Sequence, residues 1–268
     1  MFIDLNSDCK NCFGLCCVAL PYGKSADFPF NKDGGIPCQN LCSNHLCAIH
    51  DQLSEKGFRG CVSYECFGAG QHVSQSIFRG KDWREDIELA EEMFAVFPLV
   101  QQLHEMLWYL KQALTLKETR SIQTKLQMIY EETVELTVKN PKEIVELDIA
   151  EHRSQVDTLL VETSKIYRND IENKGKKKWI KKDEDLLGAN LQGLNLQGED
   201  LRGKLMIASN LKNSDLRKAD FIGADLRDAN LSGADLSEAL FLTQSQINSA
   251  IGDIHTKIPT YVEKPSHW

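Results

Sequence analysis

After Cys66 the chain has no cysteine through to its last residue, Trp268, which excludes a disulfide framework spanning the whole molecule. It also lacks a long apolar run. The longest, Met93–Val100, is far short of the roughly 20 residues that a membrane helix needs. The opening residues, MFIDLNSDCK, carry acids where a secretory leader carries bases, so a cytoplasmic protein with no membrane segment is expected. Positive charge is scarce. Lys and Arg number 31 against 39 Asp and Glu, and the net charge of −8 argues against nucleic acid as a partner. Catalytic signatures are missing too: there is no serine elbow, no zincin helix and no dinucleotide fingerprint. The stretch Phe67-Gly68-Ala69-Gly70-Gln71-His72 is glycine-rich but lacks the Lys-Ser/Thr of a phosphate loop. No catalytic residue is therefore assigned, and an enzyme is not the expected class.

What is present is a period of five. Leu186, Leu191, Leu196, Leu201, Met206, Leu211, Leu216, Phe221, Leu226, Leu231, Leu236 and Phe241 recur without a gap. Ala189, Ala219, Ala224, Ala229, Ala234 and Ala239 stand two residues ahead of them, and Asp or Asn usually stands one ahead. Five fits neither the 3.6 of a helix nor the 2 of a strand. It requires a chain that turns a corner in each repeat and stacks on an earlier copy. The apolar residue fills the interior, Ala lets the chain close tightly, and Asp or Asn bonds to nearby backbone in the turns.

Residues 185–244 resemble the pentapeptide-repeat family, whose motif is A-(D/N)-L-x-x. The resemblance implies a right-handed quadrilateral β-helix with four repeats per coil, so that twelve repeats make three coils about 15 Å tall. Leu194, Glu199 and Lys204 take the Ala position in the first coil and Leu205 takes the Asp/Asn position, so distortion there, or cover from the preceding domain, is expected. The tail is similar to the end segment that follows pentapeptide repeats in many bacterial proteins, through Thr243, Gln244, Gly252, Asp253, Thr256, Pro259, Pro265, His267 and Trp268. Gln244–Ala250 is expected to form a short capping helix, with His267 and Trp268 as packing residues.

All nine cysteines crowd into the first quarter of the chain: Cys9, Cys12, Cys16, Cys17, Cys38, Cys42, Cys47, Cys61 and Cys66. An odd count, no export signal and the tight cluster from Cys9 to Cys17 favour a soft metal over disulfides. Residues 20–45 are mostly Pro, Gly, Asn, Asp and Ser, so this segment has little core of its own and needs a staple. The order C-x-x-C, a Cys pair, a Cys before C-x-I-(H/Y) and two closing cysteines resembles small domains described as zinc- or iron-chelating. On that resemblance Cys42 is extra, and Lys56-Gly57-Phe58-Arg59-Gly60 replaces the family's Arg-Pro segment. Eight thiolates suit two tetrahedral zinc ions, the preferred reading; four suit an iron–sulfur cluster. His45 and His50 are expected at the surface or behind the ligands, and His72 lies where it can approach them.

Between these parts the pattern is helical. Met93, Val96, Val100, Leu103, Leu107, Leu110 and Leu114 form a heptad-like stripe, with Asp82 as a cap and Pro98 as a kink or a new start. Ile122, Leu126 and Ile129 mark another helix, and Asn140-Pro141 opens the last. His104 and His152 are expected in solvent. The expected architecture is multidomain α+β: a metal-stapled cysteine-rich domain over 1–80, an antiparallel helical bundle over 81–173, a lysine-rich linker over 174–184, the β-helix over 185–244 and a cap over 245–268. The function expected is a metal-binding scaffold for a protein partner, its metal serving structure or sensing. Two alternatives stand beside it. One is a DNA-mimicking, topoisomerase-protecting protein, suggested by the acid surplus of the repeats. The other is an iron–sulfur enzyme with the repeats as an appendage.

Overall fold

The computed structural model describes residues 3–172, residue 180 and residues 185–268. The chain divides into two compact units, one comprising Met1–Thr115 and Ser121–Leu160, the other Leu116–Arg120 and Val161–Trp268. Apart from Ile180, which is buried, the lysine-rich linker expected over 174–184 lies outside the described residues.

The first unit opens with three short helices, α1 (Leu15–Val18), α2 (Arg59–Val62) and α3 (Ala69–Gln71), joined by loops. A π-helical turn over His72–Ile77 follows α3. Then come α4 (Ile87–Thr115), α5 (Gln123–Thr137), α6 (Pro141–Val145) and α7 (Ile149–Glu172), the last passing into the second unit at Val161. The stripe Met93, Val96, Val100, Leu103, Leu107 and Leu110 is fully buried on α4. Pro98 neither ends this helix nor starts another, because apolar burial on both sides of it holds one continuous helix of 29 residues. Asp82 is not its cap. Asp86 takes that place, its carboxylate accepting from Glu88 N at 2.9 Å and its carbonyl from Ala90 N at 3.0 Å. Asn140 and Glu143 do form a capping box, but α6 lasts only five residues before the chain restarts as α7. Leu15 and Val18 of α1, Ala69 of α3 and Val73 share one core with Met93, Val96, Phe97 and Val100 of α4 and Ile144 of α6. The cysteine-rich segment is thereby anchored on the long helix.

In the second unit the repeats stack, but the right-handed quadrilateral β-helix expected from the sequence is not what they form. Among the described residues there is no β-strand and no sheet. Parallel contacts are isolated bridges, such as Asn190 with Asn210, Asn195 with Asp215, Asp200 with Asp220 and Asp215 with Asp235. The reason lies in the repeat itself. Each turns immediately after its bridging residue, so two successive residues never pair and no ladder grows along the chain. The offset of twenty residues still places every fourth repeat in register, and Leu196, Leu201, Met206, Leu211, Leu216, Phe221 and Leu231 are fully buried inside. Asp and Asn bond in each turn as expected, for example Asp215 Oδ1 accepting from Arg217 N at 3.2 Å.

From Leu186 to Leu231 the residue two after each apolar position takes positive φ. Gly188, Gly193, Gly203, Gly223 and Gly233 adopt it freely, whereas Ala208, Asn213, Lys218 and Asp228 do so with strain. The first coil is not distorted: Leu205 bridges Asp225 in the common register, because only main-chain atoms make the bridge. At the far end α8 (Gln244–Ser249) begins with a Thr243–Gln246 capping box. The tail then rejoins the stack through bridges from Ile251 to Asn230 and from Lys257 to Asp235. Trp268 packs its ring on Gly252 and donates Nε1–H to Ala250 O at 3.1 Å.

Candidate metal centre

All nine cysteines are free thiols. Their placement follows from local structure. Gly14, at φ 67°, turns the chain into α1, and α1 carries Cys16 and Cys17 on successive positions. Successive helical residues point about 100° apart, so the two sulfurs, 4.0 Å from each other, face different neighbours. Cys16 lies near Cys12 and Cys66, and Cys9 lies near Cys12, Cys66 and also Cys17. Cys61, on α2, faces Cys17, Cys38 and Cys47. Cys47 also lies near Cys42, which is exposed at the end of a tight loop closed by Cys42 N donating to Leu46 O at 2.9 Å. Eight cysteines thus fall into two groups that meet at the Cys16–Cys17 pair: Cys9, Cys12, Cys16 and Cys66 in the first, and Cys17, Cys38, Cys47 and Cys61 in the second. Cys42 stands outside both.

The first group is held against α3. A Cβ on Gly70 would sit 2.7 Å from Cys12 Sγ and 3.9 Å from Cys66 Sγ, so only glycine fits beneath those sulfurs. Ser7 Oγ lies 3.0 Å from Cys66 Sγ and donates to Glu65 at 2.5 Å. The second group is tied by Cys38 N donating to Cys17 O at 2.9 Å and is roofed by aromatics. Tyr22 stacks on Phe28 with ring centroids 4.2 Å apart, Phe30 and Phe58 pack edge-on, and Tyr22 Oη–H donates to Cys38 Sγ at 3.3 Å.

Burial is the chief reason that Cys12 is pushed up to about 11 and Cys61 up to about 12, and repulsion from neighbouring thiolates adds to it. Burial raises Cys9 and Cys47 in the same way. Within the adjacent pair, the hydrogen bond between the two sulfurs raises Cys16 and lowers Cys17. Thiols so placed stay protonated until a cation compensates their charge. In type and number each group suits one soft tetrahedral ion. The sulfurs are not drawn to a point, however. Among the described residues no three Cys, His, Asp or Glu side chains form a set able to hold a metal.

The histidines stand apart from both groups. His45 contacts Asp82 at 2.9 Å and packs on Phe13, while His50 is exposed beside Asp51. His72 does not reach the sulfurs through its Nε2, which bonds to Thr137 O at 2.9 Å, and its ring lies 5.0 Å from that of His104. His104 and His152 are buried, against expectation. Each finds a partner inside: His104 Nδ1 donates to Phe67 O at 2.8 Å, and His152 Nε2 bonds to Thr133 Oγ1 at 2.8 Å. Burial, with His72 alongside, lowers His104 to about 3.

Sequence reasoning missed Gly70 and the Tyr22 roof, since a single Gly or Tyr in an irregular segment carries no periodic signal. It also missed a buried charged cluster in the second unit. There Arg168 donates to Gly198 O at 3.1 Å and Asp200 at 3.3 Å, close to Asp220 and Arg202. The acids of the repeats are largely paired, Asp215 with Arg217 at 2.6 Å and Asp225 with Arg227 at 2.7 Å. No helix among the described residues is long and apolar enough to cross a membrane.

Comparison with known proteins agrees with the repeat register. The Pentapeptide repeats family matches residues 206–241 in eight copies, a span that does not extend to the cysteine-rich segment. The whole chain is similar to "Uncharacterized protein YybG" of Bacillus subtilis (strain 168), at 58% identity over 265 residues, covering 99% of this chain and 95% of that protein.

Proposed function

The chain belongs to the pentapeptide-repeat family, sharing nearly its full length with its Bacillus relative, and from that premise we propose that its first unit is a metal-binding module. Each four-cysteine group takes one ion, and the repeat stack serves as a scaffold for a protein partner. The observation that carries this reading is the partition of eight cysteines into two fours about Cys16 and Cys17. Four thiolates complete the tetrahedral coordination of one Zn2+ without water or histidine, so zinc is the preferred ion. An iron–sulfur cluster in one group is the variant reading. Free thiols in such number suit the reducing cytoplasm. The paired acids of the repeats give little support to imitation of DNA, because Asp200, Asp215 and Asp225 each meet an arginine in their own turn and Asp235 meets Lys257.

Metal analysis with an absorption spectrum, on full-length protein purified without oxygen, tests the proposal. Colourless protein with two zinc ions per chain is the expected result. Brown protein containing iron and sulfide would move the reading to a cluster used for electron transfer or sensing. Protein that retains no metal, and takes up none when offered zinc or iron with sulfide, would overturn it.

A further inference from the structure

The part of α7 that lies in the second unit, Val161–Glu172, meets the repeats through polar side chains. Its buried residues form two adjacent pairs one turn apart, Thr163 with Ser164 and Tyr167 with Arg168, whereas the aliphatic Val161 and Ile166 are only half-buried. A helix that belongs to a core is normally fixed by an apolar stripe. The interior of the repeats is built in that way, from Leu, Met and Phe. Hydrogen bonds hold the helix instead. Arg168 donates to Gly198 O at 3.1 Å and to Asp200 Oδ2 at 3.3 Å, and its Nε donates to Ser164 Oγ at 3.0 Å. Tyr167 Oη–H donates to Glu238 O at 3.2 Å. Lys218 lies over the Tyr167 ring, 4.9 Å from its centroid, and pairs with Glu118 at 3.8 Å. Pairing is incomplete: Thr163 Oγ1 on the helix and Asp220 Oδ2 in the stack are buried without a hydrogen bond.

The groove under the helix is acidic. Asp200 and Asp220 stand one coil apart in the same column, joined by a main-chain bridge. Arg202 is shared between them, its Nε 3.1 Å from Asp200 Oδ1 and 3.5 Å from Asp220 Oδ2. Two carboxylates on one shared arginine leave one negative charge over, and Arg168 of α7 balances it. Gly198 O beside Asp200 gives the planar guanidinium a second acceptor, which the point charge of a lysine would use less well. We infer that Val161–Glu172 is a releasable strap over this groove, and that a protein partner binds the repeats by putting its own helix, with an arginine beside a tyrosine, in the strap's place. This rests on the scaffold reading above. It deepens that reading by naming the partner's chemistry and by making the chain its own inhibitor until the partner arrives.

The test uses the full-length chain and a fluorescent peptide with the sequence of Val161–Glu172. Arg168→Glu in the chain reverses the charge that meets Asp200 and lifts the strap. Amides of 161–172 are expected to exchange with solvent about tenfold faster or more, the scale of one lost charge-assisted hydrogen bond, while those of 206–241 stay unchanged. The opened chain then binds the peptide, wild type binds it about tenfold more weakly or less, and a peptide carrying Arg168→Glu binds neither. An opened chain that ignores the wild-type peptide overturns the inference, and so does equal binding of the two peptides. Should Arg168→Glu fail to fold, wild type decides: amides at 163–168 must exchange through an opening that leaves 206–241 protected. Exchange of both segments only together overturns the strap. The scaffold reading fails by a different result. Cross-linking of the full-length chain in cell extract that joins no protein to the repeats would overturn it, whatever the peptide does.

Discussion

Replacing Asp220 with asparagine is expected to stabilise the second unit at neutral pH. Asp220 is fully buried, with Oδ1 accepting from Ile222 N at 3.0 Å and Arg202 Nε 3.5 Å from Oδ2. Ser164 and Arg168 favour the carboxylate as well, yet burial prevails and lifts it from 3.8 to about 6. The folded state therefore keeps a proton that the unfolded chain has already released between those two values. Stability falls as pH rises through that window and is level above it. The gap of roughly two units corresponds to at most about 3 kcal/mol. Asparagine keeps the Oδ1 acceptor, cannot ionise, and occupies the same repeat position as Asn190, Asn195, Asn210 and Asn230. Part of the gain is lost with the attraction to Arg202 and Arg168, although Arg168 retains Gly198 O and Asp200. A net gain of about 1–2 kcal/mol at pH 7 is expected, vanishing near pH 4 where the native carboxyl is neutral too. Amide hydrogen exchange of peptides within 205–240, measured from pH 4 to pH 7, reads it locally. Faster exchange in the variant at pH 7, or an equal pH slope in both proteins, would refute the reasoning.

Four further outcomes follow from the same contacts. Cys12→Ser should remove one ion per chain and loosen the segment before α4 while the thermal transition of the repeats persists; unchanged metal content would defeat the grouping of Cys12. Gly70→Ala should cost about 1–3 kcal/mol and release metal from the first group only, because the new methyl displaces Cys12 Sγ. A variant with wild-type stability and two bound ions would count against that contact. Phe221→Ala, in the fully buried column of the stack, should cost about 3–5 kcal/mol in urea unfolding, whereas the exposed Ile254→Ala should cost almost nothing; equal effects would refute the register. His104 is held neutral at about 3, below its ordinary 6.5, so its contribution is complete above 6.5 and is lost as pH falls, at up to about 1.4 kcal/mol per unit. His104→Asn, which can keep the donor to Phe67 O, should flatten the acid loss of the first unit between pH 6.5 and 5; an unchanged slope would assign that loss elsewhere.

The register of the repeats was legible because a period of five repeated twelve times leaves one way to put Leu186 through Phe241 inside. The form of the backbone was not. Whether one bridging residue per repeat extends into a strand depends on φ at positions such as Ala208, Asn213 and Lys218, where nothing in the residue type announces the left-handed region. The stripe on α4 was legible by its spacing, but the passage through Pro98 was decided by burial on both sides. His104 and His152 read as solvated because polarity predicts exposure until a fold supplies partners, and Phe67 O and Thr133 Oγ1 come from distant segments. In the cysteine-rich segment the residue types suggest a metal, but among the described residues no three side chains form a set able to hold one. The division of the cysteines into two fours required knowing that Cys16 and Cys17 sit on a helix, and that Cys61 and Cys66 separate to opposite sides of them.

That division bears on how metal and fold are coupled in the first unit. Leu15 and Val18 enter the core of α4 from the same short helix that presents Cys16 and Cys17, so the apolar anchor and the thiol groups share one element. Across the loops from Pro21 to Gly57 apolar burial is sparse, with Cys38 buried and Ile36 and Leu46 exposed. Met93, Val96, Phe97, Val100, Leu103 and Leu107, by contrast, need no thiol to stay buried. On the proposed metal-binding reading, metal held by the cysteines would contribute folding free energy chiefly to the loops, and its removal would open them locally while the α4 core stays closed. Of the thiols, Cys38 and Cys47 lie within those loops, whereas Cys12, Cys16 and Cys66 pack against the core that α1, α3 and α4 share.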